Sequence, residues 1–309
     1  MYKVFIDGSE GTTGLRIFER FEKRDDIELI KISSELRKDP DERRRMFERA
    51  DIAFLCLPDV AAIESVELAK DADVKLIDTS TAHRTADGWA YGFPELSEEH
   101  RKAIIEGNRI AVPGCHASGF QAIVYPLIKS GIIANDYPLA ATSITGYSGG
   151  GKKMIAEYES EDRSAELASP RLYGLTQEHK HLKEMKFVCG LKNPPMFMPY
   201  VADYYSGMLV TVPLIRECMK NKLSVEKLRE FYKEYYNGNL MLRVSEADGG
   251  FMGSNNLSGI DDMEIFVQGN DERITVSARF DNLGKGASGA AIQCMNLMLG
   301  VEENKTLNI

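Results

Sequence analysis

The first third of the chain repeats one pattern: a short run that is apolar on both sides, then a stretch with apolar residues three and four apart. The runs lie at residues 3–7, 27–32, 52–57, 75–78 and 109–112 and are rich in Val, Ile and Leu. Strands covered by helices on both faces read this way. Between the first two, Leu15, Phe18 and Phe21 fall on one helical face; between the third and fourth, Ile63, Val66 and Leu68 do the same over residues 60–70. The alternation predicts a Rossmann-like, doubly wound parallel sheet.

Beyond residue 130 the period changes. Segments 139–145, 208–213, 240–245, 263–268 and 274–280 read as strands with few helices between them. The last two flank Gly269-Asn270-Asp271 and alternate apolar with polar residues, which predicts a hairpin. An amphipathic helix is expected over 225–236, with Leu228, Phe231, Tyr232 and Tyr235 along one side. Residues 287–299, apolar at Ala291, Cys294, Leu297 and Met298, predict a final helix seated on the open face of the first domain. The fold class is α/β: a Rossmann-like sheet plus a second α+β domain with a mostly antiparallel sheet. Boundaries are expected at 1–117 plus 285–309 for the first domain and 118–284 for the second.

Composition narrows the function classes. With 309 residues, 43% hydrophobic and 28% charged, the chain reads as globular, and two domains are the natural expectation. A net charge of −9 speaks against a nucleic-acid partner. The one basic run, Arg43-Arg44-Arg45, follows Asp39, Asp41 and Glu42 and reads as a solvated helix face. Met1 leads straight into a strand pattern, so no leader is expected. The longest uncharged stretch, 110–128, holds Pro113, Gly114, His116, Gly119, Gln121 and Pro126, so no membrane span is expected. Five cysteines, an odd number, fit reduced thiols in the cytoplasm.

Directly after the first strand run comes Gly8-Ser9-Glu10-Gly11-Thr12-Thr13-Gly14, opening a helix. Glycines let a backbone turn tightly against a pyrophosphate, and a helix N-terminus offers it unpaired N–H groups. The spacing is G-x-x-G-x-x-G, so the strand–loop–helix context carries the dinucleotide reading. After the second strand stand Ser33 and Ser34, then Glu35 and Arg37. Hydroxyls with an arginine suit a 2′-phosphate, favouring NADP, although Glu35 leaves NAD open.

The second motif is Val112-Pro113-Gly114-Cys115-His116-Ala117-Ser118-Gly119-Phe120-Gln121. Ser118 and Gln121 have capping-box spacing, which sets a helix start near Cys115. A thiol at a helix N-terminus is stabilised as thiolate, the nucleophilic form, and the same N–H groups can receive an oxyanion. Cys56 and Cys294 sit in apolar runs and read as small core residues. In the third motif, Glu178-His179-Lys180-His181-Leu182-Lys183-Glu184, two of the five histidines stand one residue apart. A histidine beside a thiolate serves as base and acid. Metal ligation by the pair lacks a further His/Cys cluster at matching spacing, so no metal is expected. His83 and His116 read as packing or loop residues, and Arg84 as a group facing an anionic substrate. Two glycine-rich loops remain: 146–153, with Ser148, Gly149 and Lys152, and 282–289, with Asn282 and Gly286. Both suit anions.

At these residues the sequence resembles the shorter class of N-acetyl-gamma-glutamyl-phosphate reductases. The resemblance runs through nearly the whole chain: the Gly8/Gly11/Gly14 loop, Asp78-Thr79-Ser80-Thr81-Ala82-His83-Arg84, Tyr91-Gly92-Phe93-Pro94-Glu95, Val112-Pro113-Gly114-Cys115, the 146–152 loop, His179-Lys180-His181 and 282–293. It implies NADPH-dependent reduction of an acyl phosphate to a semialdehyde in arginine biosynthesis. It also implies that Cys115 is the nucleophile and that His179/His181 are the catalytic histidine motif, with His181 the first choice. Lys183 stands where the resemblance leads one to expect proline.

The expected site is then Cys115, His181 and His179 for catalysis. Gly8, Ser9, Gly11, Thr12, Thr13, Gly14, Ser33, Arg37, Asn282 and Gly286 are expected at the cofactor, and Arg84, Ser148, Gly149 and Lys152 at the substrate. The partners expected are an acyl phosphate, inorganic phosphate and a second copy of the chain, as a homodimer or homotetramer. Aspartyl phosphate or an aminoadipyl phosphate on a carrier protein would suit the same chemistry. A reading from another class is a non-catalytic NADP-binding sensor in which Cys115 reports redox state.

Overall fold

The structure, a computed structural model, describes residues 1–247 and 249–309. Two compact units divide it: residues 1–113 with 287–307, and residues 114–286 with 308–309.

In the first unit β1 (Tyr2–Asp7), α1 (Thr12–Phe21), β2 (Ile27–Ile30), α2 (Pro40–Arg49), β3 (Ile52–Leu55), α3 (Asp59–Leu68), β4 (Lys75–Asp78), β5 (Ala90–Tyr91), α4 (Glu98–Glu106) and β6 (Arg109–Ala111) follow in order. All six strands pair in parallel, in the order β2-β1-β3-β4-β6-β5. The two-residue period of β1 sends Val4 and Ile6 into one apolar layer and Phe5 into the other. Val4 and Ile6 meet Ile17 and Phe21 of α1, whereas Phe5 meets Phe47 of α2 edge to face, with centroids 5.3 Å apart. The apolar C-terminal helix (Gly289–Leu299) is seated in the first of these layers through Ala290, Ala291, Cys294 and Met295.

The basic run of α2 is not wholly solvated. Arg43 is buried, and its guanidinium donates to Asp7 Oδ2 (2.9 Å) and Ser65 Oγ (2.7 Å). Arg44 and Arg45 keep the expected exposure and pair with Asp41 and Glu42. Buried charges persist only when paired, and Asp7 supplies the pair at the end of β1, next to the glycine loop.

The second unit contains α5 (Cys115–Lys129), β7 (Ala140–Gly146), α6 (Gly151–Glu159), β8 (Arg171–Leu172), α7 (His181–Val188), β9 (Met196–Ala202), β10 (Met208–Ile215), α8 (Val225–Tyr235), β11 (Leu242–Val244), β12 (Met263–Gly269) and β13 (Arg273–Phe280). Its seven-stranded sheet runs β11-β12-β13-β10-β7-β9-β8. The β7/β9 and β11/β12 pairs are parallel and the others antiparallel. The expected hairpin is β12–β13, turning at Gly269 with φ +106°.

The unit break falls before Cys115 rather than at 117/118, because α5 runs unbroken from Cys115 and belongs to the second sheet. Gly119 makes that packing possible: a Cβ there would lie 2.6 Å from a Val210 methyl on β10. Among the described residues no helix is long and apolar enough to cross a membrane.

Candidate active site

Cys115 occupies the first position of α5, behind Gly114 as N-cap with no side-chain cap. The capping-box expectation is corrected here. Ser118 lies inside the helix and donates to Gly114 O at 3.2 Å, four residues back, so the glycine backbone sets the start. The Gly114 N–H donates to Glu184 Oε1 at 2.9 Å, which joins the start of α5 to the first turn of α7. Glu184 is buried, lies three residues beyond His181 on that turn, and went unassigned in the motif that contains it.

His179 lies in the segment before α7 and His181 opens the helix; that segment is clamped to β9. The Gln177 side-chain amide donates to Phe197 O (2.7 Å) and accepts from Phe197 N (2.9 Å), with Gln177 held at φ +58°. His179 Nδ1 then accepts from the His181 N–H at 3.2 Å, capping α7. That bond leaves the hydrogen of a neutral His179 on Nε2. Burial, and then the Lys180 charge, lower its pKa to about 4.

The rings of His116, His179 and His181 form one cluster, with centroids 5.5 Å from His116 to each of the other two and 4.8 Å between those two. Phe197 closes the cluster at 5.3 Å from His116. His116 had read as a packing residue, yet both its ring nitrogens are engaged: Nδ1 lies 2.7 Å from Ser143 Oγ and Nε2 2.5 Å from Tyr173 OH. Burial first, then the charges of His179 and Lys180, lower its pKa to about 3, so it is neutral. Burial and the nearby Cys115 charge raise the Tyr173 phenol, which stays protonated.

The 282–286 turn completes this corner. A Cβ on Gly286 would stand 2.9 Å from Cys115 Cβ, so the backbone closes on the thiol only because the residue is glycine. Asn282 Nδ2 donates to Ser148 Oγ (3.1 Å), and Asn282 Oδ1 accepts from Gly207 N (2.9 Å). In the 146–153 loop the N–H groups of Gly146, Tyr147 and Ser148 already donate to the carbonyls of Gly207, Tyr204 and Tyr205. The Gly151 N–H that opens α6 also donates, to Ser148 O, while Gly149, Gly150 and Lys152 are exposed. Among the described residues no group of three or more His, Cys, Asp or Glu is placed to hold a metal.

In the first unit the glycine loop fits a dinucleotide. Gly8 has φ +91°, and a Cβ there would lie 2.3 Å from Cys56 O; one on Gly14 would lie 2.4 Å from Gly8 O. α1 starts at Gly11 with no side-chain cap, so its first N–H groups are left for an anion. Arg37 reaches this loop and pairs with Glu10. Arg84 is buried, donating to Val112 O (2.8 Å) and Thr79 O (3.0 Å), so its guanidinium ties the ends of β4 and β6 together. His83 faces Asp78 at 2.6 Å and stacks on Trp89 at 4.2 Å. Of the expected residues, the first unit contains Gly8, Ser9, Gly11, Thr12, Thr13, Gly14, Ser33, Arg37 and Arg84, and the second contains Cys115, His179, His181, Ser148, Gly149, Lys152, Asn282 and Gly286.

The two-unit fold agrees with the family comparisons. The model of the semialdehyde dehydrogenase NAD binding domain matches residues 3–104, and that of the semialdehyde dehydrogenase dimerisation domain matches residues 115–282. The chain is 44% identical to N-acetyl-gamma-glutamyl-phosphate reductase 2 of Nostoc sp., covering 97% of this chain and 98% of the relative. It is 42% identical to the N-acetyl-gamma-glutamyl-phosphate reductase of Brucella anthropi, covering 96% and 98%. It therefore belongs to the N-acetyl-gamma-glutamyl-phosphate reductase family. Among solved structures, aspartate semialdehyde dehydrogenase II of Vibrio cholerae shares the fold, with a TM-score of 0.73 at 15% identity over 97% of this chain and 98% of that one.

Proposed function

We propose that the chain reduces N-acetyl-L-glutamyl 5-phosphate to N-acetyl-L-glutamate 5-semialdehyde with NADPH, through a thioester on Cys115. The carrying observation is the thiol at the start of α5, followed directly by His116, whose ring packs on His179 and His181 and whose Nε2 meets Tyr173, in a chain akin to these reductases along almost its whole length. The Cys115 thiolate attacks the acyl carbonyl, the C–O bond to phosphate breaks, and inorganic phosphate leaves. When bound, the nicotinamide supplies the hydride that turns the thioester into a thiohemiacetal. Collapse of that adduct, its hydroxyl proton passing to the histidine base, breaks the C–S bond, releases the aldehyde and returns the sulfur as thiolate. His181 is the base we favour, because the Nδ1 of His179 accepts from the His181 N–H and a neutral His179 carries its hydrogen on Nε2, so neither of its nitrogens is free to take a proton.

Within this reading the glycine loop of the first unit holds the pyrophosphate and Ser33 with Arg37 holds the 2′-phosphate. Arg37 pairs with Glu10 on the loop's rim, a position from which it can turn to a phosphate. Arg37→Asp is expected to erase the preference for NADPH over NADH in binding titrations; an unchanged affinity ratio would place the 2′-phosphate elsewhere. Ser148, Gly149 and Lys152 receive the substrate's anionic groups. Cofactor binding is assigned to the first unit, residues 1–113 with 287–307, and catalysis, substrate and subunit contact to residues 114–286, in a cytoplasmic homodimer or homotetramer.

The test runs the reaction backward: N-acetylglutamate semialdehyde, NADP and inorganic phosphate, followed by NADPH absorbance. Phosphate-dependent reduction is expected, with aspartate semialdehyde a far poorer substrate. Preference for aspartate semialdehyde would move the substrate to aspartyl phosphate. No reduction with any semialdehyde would turn the reading to a redox sensor.

A further inference from the structure

Between the glycine loop and the end of β2 the first unit holds a cavity of about 110 Å³. Ile6, Phe18, Leu29 and Ile30 are among its apolar walls, and Ser9 and Lys31 are its polar lining. The strand period builds it. Leu29 and Lys31 stand two residues apart and so share a side, and Leu29 packs into the apolar layer that α1 covers, as does Phe18. The Lys31 ammonium stands 4.5 Å from the Phe18 ring centroid, where the negative face of the ring attracts it. Among the described residues its carboxylate neighbour is Glu22, 3.9 Å away, with both side chains more than half exposed. Such a pair is weak in water and easily given up. Arg37 is held differently: it pairs with Glu10, directly after Ser9, and leaving that pair uncovers a carboxylate on the glycine loop. Of the two cations, Lys31 is therefore the one that meets an anion at little cost.

We propose that Lys31 is a specificity-determining residue for the cofactor: the adenosine end of NADPH lies on this cavity, and its 2′-phosphate is taken by the Lys31 ammonium with the Ser9 hydroxyl. The proposal rests on the NADPH reading above and adds to Arg37 a second cation, one that stands before the Ser33–Arg37 run. Carbon-rich walls suit the flat faces of a base and its ribose, and a hydroxyl with an ammonium suits a phosphate. A phosphate monoester carries about −1.5 to −2 charges near neutral pH, whereas the 2′-hydroxyl of NADH carries none. The ammonium therefore discriminates between the two cofactors, while the apolar walls serve both alike. Ser9 follows Gly8, whose φ of +91° shapes the loop, so the loop that fits a pyrophosphate also lines the cavity.

The test is binding, followed by calorimetric titration with NADPH, NADH, adenosine 2′,5′-bisphosphate and 5′-AMP. Lys31→Met removes the charge and keeps an unbranched stem over Phe18. Its affinity for NADPH is expected to fall about tenfold, the loss of one hydrogen bond to a charged group, with NADH changed by less than about twofold. Adenosine 2′,5′-bisphosphate should lose the same factor and 5′-AMP should not, because the discrimination lies wholly at the adenosine end. Lys31→Glu is expected to weaken NADPH further. The difference between the unaltered protein and Lys31→Met should narrow as KCl is raised, since salt screens an exposed charge. An unchanged NADPH affinity in both variants, or equal losses for NADPH and NADH, overturns the proposal while NADPH remains the preferred cofactor. If the unaltered protein binds NADH as tightly as NADPH, the NADPH reading falls, and the role of Lys31 with it.

Discussion

His116 and His179 are held neutral by burial, and that has a cost at acid pH. His116 has a folded pKa of about 3 against an ordinary 6.5. Above 6.5 neither folded nor unfolded chain protonates it and its contribution is full; as pH falls, the unfolded chain takes up a proton that the folded one refuses. Stability is therefore lost from about pH 6.5 downward, until the folded value is passed. For this one buried ring the loss between pH 6.5 and 5 is about 2 kcal/mol. Urea unfolding of His116→Gln should show a pH-dependent loss smaller by that amount; equal losses would mean that His116 is charged in the fold. The pair at the start of α7 is separable by kinetics. His181→Asn is expected to slow the chemical step by about 10² to 10⁴-fold, as for a lost general base. His179→Asn should fall short of that, and a reversed order would exchange their roles. His116 itself escaped sequence reading because its partners, Ser143 and Tyr173, lie 27 and 57 residues away, and no local pattern announces them.

At the scale of elements, α7 settles the one departure from the resemblance. Lys183 is the third residue of a helix that starts at His181, where a backbone N–H has no acceptor inside the helix. Proline is tolerated in such a first turn and lysine is equally at home, so the change leaves the histidine loop intact. Lys183→Pro is expected to retain turnover and alter stability by less than about 1 kcal/mol, which thermal unfolding and the phosphate-dependent assay would check. A collapse of either would show that the turn depends on this N–H. Ten strands were legible as period-2 or fully apolar runs, and so was α8, whose apolar face is regular; the two-residue β5 and β8, and β9 with Pro199 inside it, were not. Nor were α2 and α4: α4 buries only Ile104, and α2 hides an arginine whose partners, Asp7, Glu64 and Ser65, lie on other elements. Burial of a charge is decided by other elements, and the residues around it do not reveal it.

For the whole molecule, the division into two units follows from hydrophobic period alone, α/β alternation first and a mixed sheet after it. What the chain pattern could not convey is that the thiol helix belongs with the second sheet, because its allegiance is made by close packing at Gly119 against β10 and by Glu184 on Gly114. Glycines, cysteine and histidine pair were all visible as motifs; the groups that orient them became visible only once the sheet was closed. The central claim is that one sulfur, in that second unit, carries the acyl group between phosphate loss and reduction. It is tested most directly by mixing the protein with N-acetylglutamyl phosphate in the absence of NADPH, quenching in acid, and mapping adducts by mass spectrometry. An N-acetylglutamyl thioester on Cys115, absent from a folded Cys115→Ser variant that also lacks turnover, is the predicted result; near-normal turnover in Cys115→Ser would contradict the covalent mechanism.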